Sequence, residues 1–235
     1  MKVVVEVRIY KIGFYICRSF KKQLNNMNYW KHSLLSEKKF GGIANDYVEI
    51  HKFLDSSKLF IFHVKHRLLL HNTFGIELCI ELFGDFLINS DGSTILVRDI
   101  AAEHCKEDLG GAVPTLNDWF KTYDDQLNES IITQNIDDEA LMSFVMRPFL
   151  RSGLKASLMI TWSNFGLYLV ERCLGSQSAL NFAEYLGEIK DVKTYLKHVK
   201  FNERWQYTPD KNDINSLKIL ENGESRHQKL VIEQP

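Results

Sequence analysis

Apolar residues recur at helical spacing through nearly all of this chain, and glycine interrupts that rhythm again and again. A chain so patterned folds as a set of short helices packed on one another. Residues 28–39 read as a short amphipathic helix stopped by Gly41-Gly42. Asn45-Asp46 offers an N-cap for a second helix, Tyr47 to Leu54, and Asp55-Ser56-Ser57 ends that helix or caps the next. A long helix is expected from Lys58 to Phe83, apolar on nearly every face and terminated by Gly84. Further helices are expected at Asp99–Glu107 and from Pro114-Thr115 through Phe120, with Thr115 as N-cap and Asp118 as its capping-box partner. Beyond residue 138 the helical pattern returns at Glu139–Phe149, Gly153–Leu174, Ser176–Glu188 and Asp191–Lys200, with Pro148 breaking the first near its end. One stretch departs from it: Phe86 to Val97 sets two β-rich arms around Asn89-Ser90-Asp91-Gly92, a hairpin signature.

The fold class is therefore mainly α, with two helical domains and one small β-hairpin near 86–97. Residues 1–26 form an N-terminal extension. Its segment Val3–Tyr10 alternates like a short strand, and the polar break before Met27 makes that residue an alternative start. A His-rich helical domain spans 27–122, a polar and acidic linker 123–135, a second helical domain 136–209, and a poorly ordered tail 210–235. The halves align without a gap over Asn72–Gly84 and Ser163–Gly175, with Phe74/Phe165, Gly75/Gly166, Leu78/Leu169 and Gly84/Gly175 identical. That points to a degenerate duplication in which only the first copy carries imidazoles: His51 faces Met142, His66 faces Ser157 and His71 faces Trp162.

Composition narrows the function. Among 235 residues, 29 Lys and Arg balance 30 Asp and Glu, which removes the basic excess expected of a nucleic-acid or anionic-membrane binder. Neither Leu59–Leu70 nor Gly153–Leu174 sustains the ~18 apolar residues of a membrane span. The segment Met1 to Cys17 carries Lys2, Glu6, Arg8 and Lys11, unlike a secretory leader. Four separated cysteines (Cys17, Cys79, Cys105, Cys173) without a CxxC read as buried thiols, and the expected location is cytoplasmic.

Histidine is where chemistry would sit. Six of the eight (His32, His51, His63, His66, His71, His104) fall in the first domain. His51 and Asp55, four apart, share one helical face. His66 and His71, five apart, sit about 140° apart around a straight helix and would face different neighbours unless the helix bends. Two readings stay open. Either His51, Asp55, His66, His71 and His104 gather around a divalent ion (Zn, Mn or Fe) for hydrolytic chemistry, or the imidazoles are buried hydrogen-bonding groups of a non-enzymatic interaction module. No HExxH, ExxH or His-Asp doublet decides between them. Glu103 to Asp108 reads as a solvated helix end, Cys105 beside His104 as two side chains pointing apart, and Arg204, Trp205 and Tyr207 as a core edge. The partner is a small molecule or a protein, of unspecified identity.

Several separate motifs occur in a recognisable order. They are Tyr29-Trp-Lys-His32, Phe40-Gly-Gly42, Asp46-Tyr47, Ile50-His51-Lys-Phe-Leu-Asp55-Ser-Ser-Lys58, His66-Arg67, and His71-Asn-Thr-Phe-Gly75. Asn89-Ser-Asp-Gly92, Val97-Arg98, Glu103-His104, Glu107-Asp-Leu-Gly110, Pro114-Thr115 and Asp118-Trp119 follow. Together they resemble an uncharacterised bacterial and phage family of domains of unknown function, DUF6915-like, over about residues 28–120. The resemblance implies that His32, His51, Asp55, His66, Arg67, His71 and His104 belong to the family pattern, whereas His63 departs from it. It brings no established activity, and residues 125–235 fall outside it.

Overall fold

The structure, a computed structural model, describes residues 29–61, 64–126, 136–196 and 199. The expectations for residues 1–26, the linker's 127–135, the tail 210–235, Cys17, His63 and the Arg204–Trp205–Tyr207 cluster lie outside the described residues. Among those described, ten α-helices and a two-stranded antiparallel sheet carry the fold. Helices α1 (Tyr29–Phe40), α2 (Val48–Asp55), α3 (Arg67–Leu70) and α4 (Thr73–Phe83) precede strands β1 (Phe86–Ile88) and β2 (Thr94–Leu96). Then follow α5 (Val97–Asp108), α6 (Leu116–Phe120), α7 (Glu139–Ser152), α8 (Asn164–Leu174), α9 (Ser176–Leu186) and α10 (Val192–Leu196). No described helix is long and apolar enough to cross a membrane.

Helices α1, α2, α4 and α5 pack on one another and enclose the region where the histidines lie. Helix α4 also packs on α8, and α6 on α7. The Phe60 ring meets Phe165 and Tyr168 at centroid distances of 5.0 and 5.4 Å, Arg147 pairs with Glu81, and Lys65 donates to the Leu196 carbonyl at 3.1 Å. Cys79 and Cys105 are buried free thiols and Cys173 is half-buried. Thr115 caps α6 with Asp118 as its reciprocal partner, as the spacing predicts.

The hairpin is fastened to the end of α1 by its own turn. Its register pairs Phe86 with Leu96 and Ile88 with Thr94. Asn89 Oδ1 accepts from the Asp91 and Ser93 amides at 3.1 and 2.9 Å, while its Nδ2 donates to the Phe40 carbonyl at 3.1 Å. Asp46 accepts from the Ser90 amide and hydroxyl, and Asp91 accepts from the Gly42 amide. A Cβ on Gly42 would lie 2.4 Å from Asp46 Oδ2, so this dock requires glycine. The Phe40-Gly-Gly42, Asp46-Tyr47 and Asn89-Ser-Asp-Gly92 motifs are thus one structural junction.

Two expected helices are broken. The segment Lys58–Phe83 is a 3₁₀ turn (Ser56–Leu59), a second one (Val64–His66), the single turn α3, and only then α4. Asn72 makes the break: in extended conformation it accepts from the Phe74 and Gly75 amides at 3.0 and 3.1 Å, and its Nδ2 donates to Leu68 O at 3.0 Å. A side chain that caps a new helix in this way competes with helix continuation. Gly153–Leu174 divides likewise into a 3₁₀ turn (Lys155–Met159) and α8, with Ser163 as cap. Conversely, Pro148 does not end α7. Its ring is buried, and one more turn follows before Gly153 turns left-handed at φ 70°.

The two broken segments share local geometry. Caps Asn72 and Ser163 have φ of −158° and −149°, and the helices they open end at Gly84 and Gly175. A Cβ on Gly75 would fall 1.9 Å from the Leu70 carbonyl oxygen, and one on Gly166 1.7 Å from that of Thr161. The likeness stops after the terminal glycines, where one chain segment enters the hairpin and the other α9. Since backbone cannot yield to either Cβ, Gly75→Ala and Gly166→Ala should each destabilise by more than about 2 kcal/mol in urea unfolding. A loss under about 0.5 kcal/mol would show that these close approaches are not real constraints.

Candidate metal centre

Each component arrives by a short local spacing. Helix α2 supplies His51 and Asp55, four residues apart on one face, and α5 supplies His104 and Asp108 in the same relation. His71 comes from the C-cap of α3, where ψ of 60° takes the chain out of the helix. That break answers the helical-wheel objection: the His66 and His71 rings meet edge to face at 4.9 Å. His32 approaches from α1, its ring 4.0 Å from that of His104.

Asp55, His71, His104 and Asp108 each bring one ligand-type atom within 4.8 Å of the others. His71 Nε2 lies 3.0 Å from His104 Nε2 and 3.0 Å from Asp108 Oδ2. Asp55 Oδ1 is 3.8 Å from His71 Nε2 and 3.7 Å from His104 Nε2. Donors bound at about 2.0–2.2 Å are separated by about 2.8–3.6 Å along the edges of octahedral and tetrahedral shells. These four edges lie within that range or a few tenths of an ångström beyond it, and all four donors lie within 4.8 Å of one another. Asp55, His71 and His104 are fully buried, and the Asp108 side chain is 12% exposed.

His51 and His66 flank this group rather than join it. His51 Nδ1 lies 3.0 Å from His104 Nδ1, and His51 Nε2 lies 2.9 Å from Ser36 Oγ. His66 Nδ1 meets Ser57 Oγ at 3.0 Å. His32 bridges two carboxylates, with Nδ1 2.5 Å from Glu107 and Nε2 3.5 Å from Asp108 Oδ1. Arg67 Nε donates to Asp108 Oδ2 at 3.1 Å. Lys58 Nζ lies 2.6 Å from Asp55 Oδ1, yet both Asp55 oxygens are buried without a hydrogen bond. Asp108 is the residue that sequence reasoning missed. Its signal was the four-residue step from His104, concealed because Glu103–Asp108 looked like a solvated helix end.

Burial keeps the imidazoles uncharged. Desolvation lowers His104 and His66 well below the ordinary histidine value, and His71 also falls for that reason despite its hydrogen bond to Asp108. His51 is driven down to about 3, by desolvation first and then by the neighbouring His32. For Asp108, burial pushes upward but is overcome by the His71 hydrogen bond and by positive charge, leaving the carboxyl well below its usual range. Arg67, at 3.1 Å, adds to that lowering. Burial raises the Cys105 thiol, so His104 has no thiolate beside it.

Neutral rings carry one N–H each, which orders the row. If His104 Nε2 offers its lone pair to an ion, its Nδ1–H donates to His51 Nδ1, and His51 Nε2–H donates to Ser36 Oγ. Every proton in that line then has an acceptor, the arrangement that orients metal-bound histidines. The residues present fit an ion.

Residues 27–128 match the family model for a domain of unknown function, DUF6915. That span holds every residue of the centre from His32 to Asp108, whereas α7–α10 lie beyond it. No curated protein and no solved structure matches the chain.

In metal-free protein, His51 stays neutral to about pH 3 when folded but takes up a proton near 6.5 when unfolded. Its stabilisation is therefore full above the unfolded value and is lost as pH falls toward the folded one. At pH 5.5 the loss from this residue is about 1.4 kcal/mol, and His51→Gln should remove that share of the acid destabilisation, leaving the shares of His66, His71 and His104. Urea midpoints equal at pH 7.5 and 5.5 would contradict this assignment.

Proposed function

We propose that Asp55, His71, His104 and Asp108 bind a divalent transition-metal ion, and that the bound ion activates water for a hydrolytic reaction. The observation that carries the reading is the convergence of four donor atoms, from three separate segments, within 4.8 Å. Mixed imidazole and carboxylate ligands suit Zn, Mn and Fe, and a five- or six-coordinate ion leaves positions for water and substrate. Solvent reaches the centre at the Glu107–Asp108 edge, where these side chains are 25% and 12% exposed. The His32–Glu107 pair lies at that edge and would be available as a proton acceptor there.

A second reading has its own support. Lys58 pairs with Asp55 and Arg67 with Asp108, so both carboxylates have a cation partner without any metal. On that reading the histidines are buried hydrogen-bonding groups of a non-enzymatic interaction module.

Elemental analysis of tag-free protein, before and after chelation, separates the two. The metal reading expects about one equivalent of ion per chain, and stabilisation of about 2.7 kcal/mol at a free-ion concentration 100 times Kd. Asp55→Asn and His71→Ala should abolish retention, whereas His51→Ala, acting through His104, should weaken it about 10–100-fold. Protein that retains no ion and gains no stability from added Zn²⁺ or Mn²⁺ would overturn the metal reading.

A further inference from the structure

The oxygen that Asp55 brings to the centre already has a cation against it. Resting on the metal reading above, we propose that Lys58 is an exchangeable counter-ion of Asp55, expelled into solvent by an entering divalent ion. Its ammonium thereby sets the free-ion concentration at which the centre loads.

The competition is for a single atom. Asp55 Oδ1 lies 3.8 Å from His71 Nε2 and 3.7 Å from His104 Nε2, so it is the Asp55 oxygen that faces the other donors. Lys58 Nζ lies 2.6 Å from that same oxygen, reached by the three-residue step from the end of α2 into the 3₁₀ turn Ser56–Leu59. An ion bound to Oδ1 at about 2.0–2.2 Å would lie within about 5 Å of the ammonium. Asp55, His71 and His104 have no solvent exposure, so little water screens two like charges at that separation.

Lys58 is the charge suited to leave. Although its nitrogen is close, neither Asp55 oxygen receives a hydrogen bond, so the contact is held by charge and not by a directed bond. The side chain is 22% exposed, on a flexible four-carbon stem that can carry the ammonium into water. A divalent ion offers two charges where the ammonium offers one, and it engages three further donors from His71, His104 and Asp108. A monovalent cation would exchange charge for charge and gain little. The exchange therefore favours doubly charged ions, and it keeps Asp55 partnered in metal-free protein. The opposite arrangement, in which Lys58 stays and steadies a ligating carboxylate, predicts effects of the reverse sign.

Zn²⁺ alone is the probe. Full-length protein is prepared metal-free and Zn²⁺-loaded, and metal content is measured on each sample. Amine acetylation followed by mass spectrometry reads the lysine in the unaltered chain. Lys58 should react at least about fivefold faster in loaded than in metal-free protein, measured against Lys52, whose partner is Glu49. Zn²⁺ affinity is obtained by chelator competition at fixed ionic strength. Lys58→Gln should tighten it about tenfold, since the ion no longer displaces a charge. Lys58→Arg, which keeps the charge, should stay within about threefold of the unaltered chain. Lys58→Gln should also lower the urea midpoint of metal-free protein while leaving that of loaded protein near its original value, a split that loss of a merely packing side chain would not produce. If metal is retained but Lys58 acetylation is unchanged or slowed on loading, or Lys58→Gln weakens Zn²⁺ binding or leaves it unchanged, the exchange falls and the metal site stands. If no metal is retained, both fall together.

Discussion

Two carboxyl groups, Asp55 and Asp108, are held among imidazoles whose basicity burial lowers, and the surrounding structure places a cation against each. Asp55 has no solvent exposure and Asp108 little. A charge buried in such a place is costly without a partner of opposite sign. Lys58 and Arg67 provide one each, from the 3₁₀ turn after α2 and from the start of α3. The irregular chain between α2 and α4 is thus a requirement of the site. A continuous helix there would have turned His66 and His71 away from each other.

How much of this was legible in the sequence depended on the range of the interaction. The four-residue step from His51 to Asp55, the Thr115–Asp118 cap and the hairpin turn are local, and local spacing is what a sequence displays. The break at His71-Asn72 was hidden because the apolar run on both sides satisfies a helix pattern as well as it satisfies burial. Only Asn72, an N-cap residue with Gly75 three positions on, marked the boundary. Asp108 was hidden for the opposite reason. A run of charged residues at a helix end is ordinarily solvated, whereas here His32 of α1 and Arg67 and His71 of α3 close over Asp108. The placement of His51 outside the four-donor group was also beyond reach, since which ring nitrogen faces which neighbour is settled by tertiary contact.

The motifs that resemble the family separate into two physical roles once their contacts are known. Phe40-Gly-Gly42, Asp46 and Asn89-Ser-Asp-Gly92 fasten the hairpin to α1 through backbone and side-chain hydrogen bonds. His32, His51, Asp55, His66, Arg67, His71 and Glu107-Asp108 surround the centre. The first group serves the second indirectly. Helix α1 brings His32 against His104 and Ser36 against His51, and the hairpin leads directly into α5, the source of His104 and Asp108.

The second segment that shares this backbone geometry shows what the histidines add. Around Ser163 the chain repeats the 3₁₀ turn, the cap, the glycine against a carbonyl and the terminal glycine, yet Trp162 stands where the first segment has His71. The same backbone break is therefore compatible with an apolar core position, and nothing in it demands an imidazole. Since the turn does not explain His71, its neighbours must. His71 Nε2 faces both His104 and Asp108, two groups with no counterpart around Trp162 in an apolar setting beside Phe182. A polar ring buried at such a position costs stability unless its nitrogens are satisfied. The four donor atoms gathered around that ring nitrogen are a setting compatible with a bound cation.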